Sequence, residues 1–278
     1  MPELPEVEEA AGRLRSALVG RTLTGVRPLH RVLAARLPPR QRRALRGATV
    51  VGVDRRGKHQ LIRLDDGRII HVHFRMSGDW QVLGAEAPPR SARLLLELDD
   101  ATRVALVDPR ALATVDVHPA GAPPVMELGP EATDPDIDVD AILARLARRR
   151  GAIKPALLDQ RILAGVGNIY AAEALWHAKI DPRRPASELS RPEVARLLRG
   201  VRTALERATG SRYADERDRF AVYGREGAPC RRCRATIARV MQAGRSTYFC
   251  PGCQGLEAKP AARPARARVS RAPRGARP

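Results

Sequence analysis

The chain has 278 residues, 44% of them hydrophobic and 29% charged, enough for about two domains and too apolar for a disordered chain. Its formal net charge is +19, of which residues 255–278 hold +6, so the remaining body is basic as well and the expected partner is a polyanion. No run approaches the roughly 18 apolar residues of a membrane span. The acidic N-terminus Met1-Pro2-Glu3-Leu4-Pro5-Glu6 lacks the apolar region of a secretory signal. The expectation is a cytoplasmic protein with no membrane partner.

Val7, Ala10, Ala11, Leu14 and Leu18 recur at helical spacing behind Pro5, predicting an amphipathic helix over 5–18. After Gly20 the period changes, and 48–53, 60–64, 69–74, 93–98 and 103–107 read as strands separated by turns such as Asp65-Asp66-Gly67. One helix and a series of hairpins predict an antiparallel β-sandwich. The Pro- and Gly-rich stretch 118–124 reads as a linker. Beyond it the pattern is helical over 139–148, 154–160, 169–177 and 191–208, with Ser190 as a cap. The expected class is α+β and multidomain. Residues 1–124 form the helix and sandwich with the start of the linker, 125–220 a helical domain, 221–254 a cysteine module of net charge +5, and 255–278 a disordered basic tail.

The four cysteines read Cys230-x2-Cys233, sixteen residues, Cys250-x2-Cys253, the spacing of a four-thiolate zinc site. Such a site has no open coordination position and is structural. Two knuckles would sit at the ends of a hairpin over 236–240 and 246–249, with Arg245 near the tip facing phosphate or solvent. The competing reading is four free or paired thiols. Gly165-Val166-Gly167-Asn168 precedes a helix, where it is either an interhelical turn or a site at which unpaired N–H groups meet an anion.

Removal of Met1 before a proline would leave Pro2 with a secondary amine whose reference pKa is near 8. That amine is a usable nucleophile, able to attack an electrophilic carbon and pass through an iminium, and Glu3 and Glu6 lie within one turn as acid or base. The bland reading is that Pro2 and Pro5 start a helix and the carboxylates complement its dipole.

Together these pieces resemble a family. Pro2 to Glu8, Lys58, His73-Phe74-Arg75-Met76-Ser77-Gly78, Asp108-Pro109-Arg110, Ile153-Lys154-Pro155, Gly165 to Tyr170, Val222-Tyr223-Gly224-Arg225 and the cysteine module are similar, in order, to the formamidopyrimidine-DNA glycosylase and endonuclease VIII family, and Glu6-Val7-Glu8 favours the formamidopyrimidine branch. The resemblance implies a β-sandwich behind a helix, a helix-two-turns-helix domain and a zinc finger, with double-stranded damaged DNA held between them by a monomer. It also implies a nucleoid location through DNA. The lesion nucleotide would be flipped out of the stack. Pro2 would attack C1′, Glu3 would protonate the opening sugar ring, Glu6 would assist proton transfer, and β,δ-elimination would follow. Lys58, Asn168 and Arg245, with Lys154 beside them, would hold the phosphates of the kinked duplex. Met76 and Arg110 would fill the hole left by the flipped nucleotide. One structural Zn2+ is implied at the cysteines, and no catalytic metal.

Two departures bear on substrate. Ala111-Leu112-Ala113 stands where the family carries Arg-Phe-Gly, so Leu112 replaces an aromatic wedge. Only nine residues separate Gly210 from Phe220, where members preferring 8-oxoguanine carry a longer lid. Formamidopyrimidines, further-oxidised guanines, oxidised pyrimidines and abasic sites therefore lead 8-oxoguanine as expected substrates. Two rival readings are a lyase with little base excision and a non-catalytic zinc-finger protein that binds damaged DNA; retention of Pro2, Glu3 and Glu6 argues against the second. Deletion of 255–278 is expected to flatten the salt dependence of DNA binding without changing single-turnover cleavage, and an unchanged salt slope would reject that role for the tail.

Overall fold

The computed structural model describes residues 2–208 and 220–255. The short segment noted between Gly210 and Phe220, and the basic tail from residue 256, lie outside the described residues. Helix α1 (Leu4–Leu18) buries the stripe Leu4, Val7, Ala10, Ala11, Leu14 and Leu18. It begins where expected because Pro5 fits its first turn and the Glu3 N–H donates to Glu6 Oε2 at 2.8 Å, half of a capping box.

Next come β1 (Leu23–Pro28), α2 (Arg31–Arg36), α3 (Pro39–Leu45), β2 (Val50–Arg56), β3 (His59–Leu64), β4 (Ile69–His73), β5 (Asp79–Leu83), β6 (Ala92–Leu98), β7 (Arg103–Val107) and β8 (Thr114–His118). They form two antiparallel four-stranded sheets of order β1-β6-β7-β5 and β2-β3-β4-β8. Alternate residues such as Ile62, Ile70, Val72 and Val115 face Leu94, Leu96, Val104 and Leu106 within one core that α1 completes. His118 ends a strand instead of opening the linker, because it pairs with Ile69 across β4 and β8. The strands β1, β5 and β8 are set by pairing with β6, β7 and β4, and the short, arginine-rich helices α2 and α3 by seating Leu33 and Leu45 in the core.

The helical domain holds α4 (Val139–Ala147), α5 (Ile153–Leu157), α6 (Asn168–Ala178) and α7 (Arg191–Glu206), the last capped by Ser190, whose N–H donates to Glu193 Oε2 at 2.9 Å. Helix α6 is buried on almost every side, one face in the helical core and the other, through Ala172 and Trp176, against the cysteine module. That module is a hairpin of β9 (Ala238–Gln242) and β10 (Arg245–Phe249) followed by α8 (Pro251–Gln254). Its two-residue turn, Ala243-Gly244, has φ of 47° and 72°, the type I′ geometry that suits a right-twisted hairpin.

The sandwich and the helical domain are joined by charge as well as by apolar contact. Glu131 Oε1 accepts from Arg56 Nη1 at 2.8 Å and Glu131 Oε2 from Arg55 Nη1 at 2.5 Å, while Arg55 also bonds Glu8 on α1. The Arg55 side chain is only 10% exposed, so losing one acceptor leaves a poorly solvated cation. Glu131→Gln is expected to cost about 2 kcal/mol in a denaturant melt; an unchanged midpoint would show that apolar packing alone holds the joint.

Candidate active site and DNA interface

The N-terminal segment meets the start of α6. The Glu3 carboxylate is 1% exposed and accepts from the Ile169 N–H at 2.9 Å and the Tyr170 N–H at 3.2 Å, two amides of the first turn that have no partner within the helix. Close approach requires the two glycines ahead of α6. A Cβ on Gly167 would lie 2.5 Å from both Glu3 carboxylate oxygens, and Gly165, at φ +96°, abuts the Leu4 side chain. Tyr170 donates its hydroxyl to Glu6 Oε1 at 2.7 Å, so one residue of α6 orients both carboxylates. Pro2 is half-buried immediately before Glu3.

Burial pushes the Glu3 carboxyl above its ordinary range, and neighbouring Glu6 adds to the rise; Lys58 and the two amides oppose it. Lys58, 9% exposed, donates to the Val166 carbonyl at 3.0 Å. Gln160 donates to the same carbonyl at 2.9 Å and accepts from the Gly165 N–H at 2.9 Å, which braces the loop that holds Lys58. Burial lowers the Lys58 pKa, with Arg245 assisting and Glu3 and Glu6 opposing. Lys154 is fully buried and donates to Asn168 Oδ1 and, at 3.4 Å, to the Ser246 carbonyl; burial and Arg245 bring its pKa to about 8. Asn168 Nδ2 donates to Ser246 O at 3.2 Å. Lys58, Lys154, Asn168 and Arg245, spread over 187 positions of sequence from 58 to 245, thus converge beside Glu3.

A second group lies on the loops that follow β4 and β7. Asp108 accepts from the N–H groups of Arg110 at 3.2 Å, Leu112 at 2.6 Å and Ala113 at 2.7 Å, and from the Ser77 hydroxyl. Burial would raise its pKa, but those four donors hold it below the ordinary carboxylate value. One carboxylate therefore fixes two loops. Met76 and Leu112, 42% and 46% exposed, each follow a non-glycine residue in the left-handed region, Arg75 at φ 56° and Ala111 at φ 53°. Arg110, also exposed, lies in the second of these loops. His73 Nδ1 accepts from the Arg75 N–H at 3.0 Å, which leaves Nε2 as the protonated nitrogen; burial, first, and the nearby His59 and Arg75 keep the ring neutral, with a pKa of about 3.

The four cysteine Sγ atoms all lie within 4.8 Å of one another, with Cys230 to Cys253 at 3.8 Å and Cys233 to Cys250 at 3.4 Å. Tetrahedral Zn–S bonds of about 2.3 Å place sulfurs about 3.8 Å apart, so the all-thiol set fits one structural zinc ion. Trp176 Nε1 and the Arg232 N–H each donate to Cys230 Sγ at 3.4 Å, tying the metal site to α6. Glu173 on α6 accepts from the N–H groups of Ala221, Val222 and Tyr223 and anchors the chain entering the module. Sequence reasoning assigned no role to Tyr170, Asp108 or His73, although each lies in a quoted motif. It gave no signal for Gln160, Glu173 or Trp176.

An N-terminal segment before a buried carboxylate, a cationic cleft and a thiolate-braced hairpin define the class of zinc-finger DNA glycosylases. The formamidopyrimidine-DNA glycosylase N-terminal domain matches residues 1–115, its H2TH domain residues 128–215, and the zinc finger found in this family and in isoleucyl-tRNA synthetases residues 227–255. The formamidopyrimidine-DNA glycosylases of Paracoccus denitrificans and Roseiflexus are 41% and 42% identical, and each match covers 91% of this chain and 100% of the relative. The chain belongs to the formamidopyrimidine-DNA glycosylase family. Among solved structures, the Lactococcus lactis enzyme non-covalently bound to DNA containing an abasic site has a TM-score of 0.83 at 29% identity, covering 91% of this chain and 99% of that one. A complex of the related MutM protein with DNA containing carbocyclic 8-oxoguanine scores 0.82 at 28% identity over the same shares.

Gly167→Ala is expected to displace the Glu3 carboxylate and reduce single-turnover strand cleavage about 100-fold while lesion-duplex affinity stays near wild type. Full activity would show that the Glu3 position tolerates the extra methyl group.

Proposed function

We propose that this chain, a DNA glycosylase and abasic-site lyase of base excision repair, excises an oxidised base through a Schiff base on Pro2 and then cleaves the strand by β,δ-elimination. The observation that carries this reading is the Glu3 carboxylate, desolvated at the α6 N-terminus immediately after Pro2 and within charge reach of Lys58. Once Met1 is removed, the Pro2 nitrogen attacks C1′ of the flipped nucleotide as the C1′–N bond to the base breaks, and the base leaves with a proton. Burial favours the protonated form of the Glu3 carboxyl, which delivers its proton to the ring oxygen. The ring opens and the iminium forms. Loss of a proton from C2′ expels the 3′ phosphate, and a second elimination expels the 5′ phosphate. Glu6, held by the Tyr170 hydroxyl, takes part in the proton transfers.

Lys58, Lys154, Asn168 and Arg245 bind the phosphates flanking the lesion, and His73 adds a neutral Nε2–H donor. Met76, Arg110 and Leu112 occupy the space the nucleotide vacates, with Arg110 facing the unpaired base. The segments 1–124, 125–220 and 221–254 divide this work among catalysis, backbone grip and the zinc-braced tip, and the protein acts as a monomer on double-stranded DNA in the cytoplasm. No helix among the described residues is long and apolar enough to cross a membrane. Related complexes contain DNA with abasic, formamidopyrimidine and 8-oxoguanine-type sites. For this chain we place formamidopyrimidines and abasic sites ahead of 8-oxoguanine, on the short sequence after Gly210 and the aliphatic Leu112.

The test is borohydride trapping of untagged, Met1-processed protein on duplexes with an abasic site, a formamidopyrimidine, 8-oxoguanine or an oxidised pyrimidine. A covalent adduct is expected on the first two. An extra residue ahead of Pro2 is expected to abolish the adduct while leaving salt-sensitive binding intact. Trapping by a protein with a blocked N-terminus would overturn the Pro2 mechanism.

A further inference from the structure

Residues 31–46 carry six arginines and no acidic residue. They form α2 and α3, which seat Leu33, Leu37 and Leu45 in the sandwich core and turn the charge outward. The placement is mixed: Arg36, Arg42 and Arg43 lie in last turns, where the helix dipole favours a cation, but the first turns do not follow that rule. Neither helix has an acidic residue in its first turn, and each instead carries an arginine there, Arg31 in α2 and Arg40 in α3, where the backbone dipole disfavours a cation. Arg40 and Arg43 are three residues apart and Arg42 and Arg46 four, spacings at which like charges repel. Among the described residues only Arg36 of the six has a carboxylate partner, Asp116 at 2.7 Å. Arg40, Arg43 and Arg46 are exposed and unpaired.

The start of this ridge adjoins the Asp108 loop, since the Leu29 N–H donates to the Arg93 carbonyl and Arg93 to the Asp108 and Pro109 carbonyls, but its α3 end is far from the cleft. The Ala44 carbonyl accepts from Arg68 Nη2 at 2.8 Å, so the end of α3 lies over the turn joining β3 to β4. Lys58 and Met76 flank the opposite ends of those strands, about 20 Å away at about 3.3 Å per residue. Resting on the reading that the cleft binds DNA, we propose that Arg40, Arg43 and Arg46 form a second docking site, taking the phosphodiester backbone of another duplex segment while the cleft still holds the first. The exposed, unpaired arginines at i,i+3 and i,i+4 spacing repel one another in the free protein, and the spaced anions of a sugar-phosphate backbone offset that repulsion regardless of sequence. Its consequence is transfer between DNA segments without complete release.

The experiment uses the full chain bound to a short labelled duplex with a reduced, uncleavable abasic site, and follows dissociation as unlabelled undamaged duplex is added. In the wild type the rate is expected to rise in proportion to competitor; in R40Q/R43Q/R46Q it is expected to be independent of competitor, with abasic-site trapping and first-duplex affinity unchanged. The triple variant is also expected to melt no lower than wild type, since repulsion is removed. A competitor-independent rate in the wild type, or an undiminished dependence in the variant, overturns the proposal. So does an equal loss of first-duplex affinity, which would put the ridge inside the cleft's own footprint, or a lowered melting midpoint, which would show that the arginines serve the fold. Absence of lesion-duplex binding in the wild type would overturn the glycosylase reading along with it.

Discussion

The architecture turns on one carboxylate placed at one helix end. Glu3 comes from the first residues of the sandwich domain, and the Ile169 and Tyr170 amides that receive it belong to the helical domain. The unpaired amides and dipole of a helix N-terminus suit an anion. Here the anion is a side chain of the same protein, buried so deeply that its pKa rises despite those donors. Glu3 is therefore in its working environment only when both domains are docked, which gives the Glu131 and Arg55 joint a consequence for chemistry as well as stability. Gly165 and Gly167 are what this contact demands of the sequence.

Around the carboxylate the protein concentrates cations that Glu3 and Glu6 offset only in part. Lys58 and Lys154 are buried, bonded to carbonyl or amide oxygens instead of carboxylates, and lie close enough to Arg245 to be driven down in pKa. A lysine whose pKa is lower in the folded chain than in the unfolded one costs stability while it is charged, that is, below the folded value, about 8 for Lys154. An anion placed beside the charged lysines would offset that cost. The cleft thus carries unfavourable electrostatics in a fixed arrangement of side chains, the kind of preorganised charge that suits an anionic ligand. The same logic applies on the surface to α2 and α3, where the opposing charges are exposed.

Much of this was legible before the fold. Periodicity located α1, five of the sandwich strands and the long helices to within a few residues, because all but the almost wholly buried α6 pack a one-sided apolar stripe on a core. The cysteine spacing indicated the metal, since a four-thiolate site constrains sequence locally. The family motifs brought Lys58, Met76, Arg110, Lys154 and Asn168 to attention. Residues that act by bracing others were not legible. Gln160 holds a loop that holds Lys58, and Trp176 reaches a cysteine 54 positions away. Asp108 organises both exposed loops through hydrogen bonds that no period encodes.

The sequence by itself determined the local elements, the metal ligands, the excess positive charge and the proline at position 2, because these depend on neighbouring residues or on composition. Tertiary structure alone decided which carboxylate is desolvated, which lysines are buried together and which hydrophobic side chains, Met76 and Leu112 among them, remain exposed on loops. Those properties arise from distances between residues far apart in the chain. Burial and Coulomb interaction depend on those distances, and sequence separation does not reveal them.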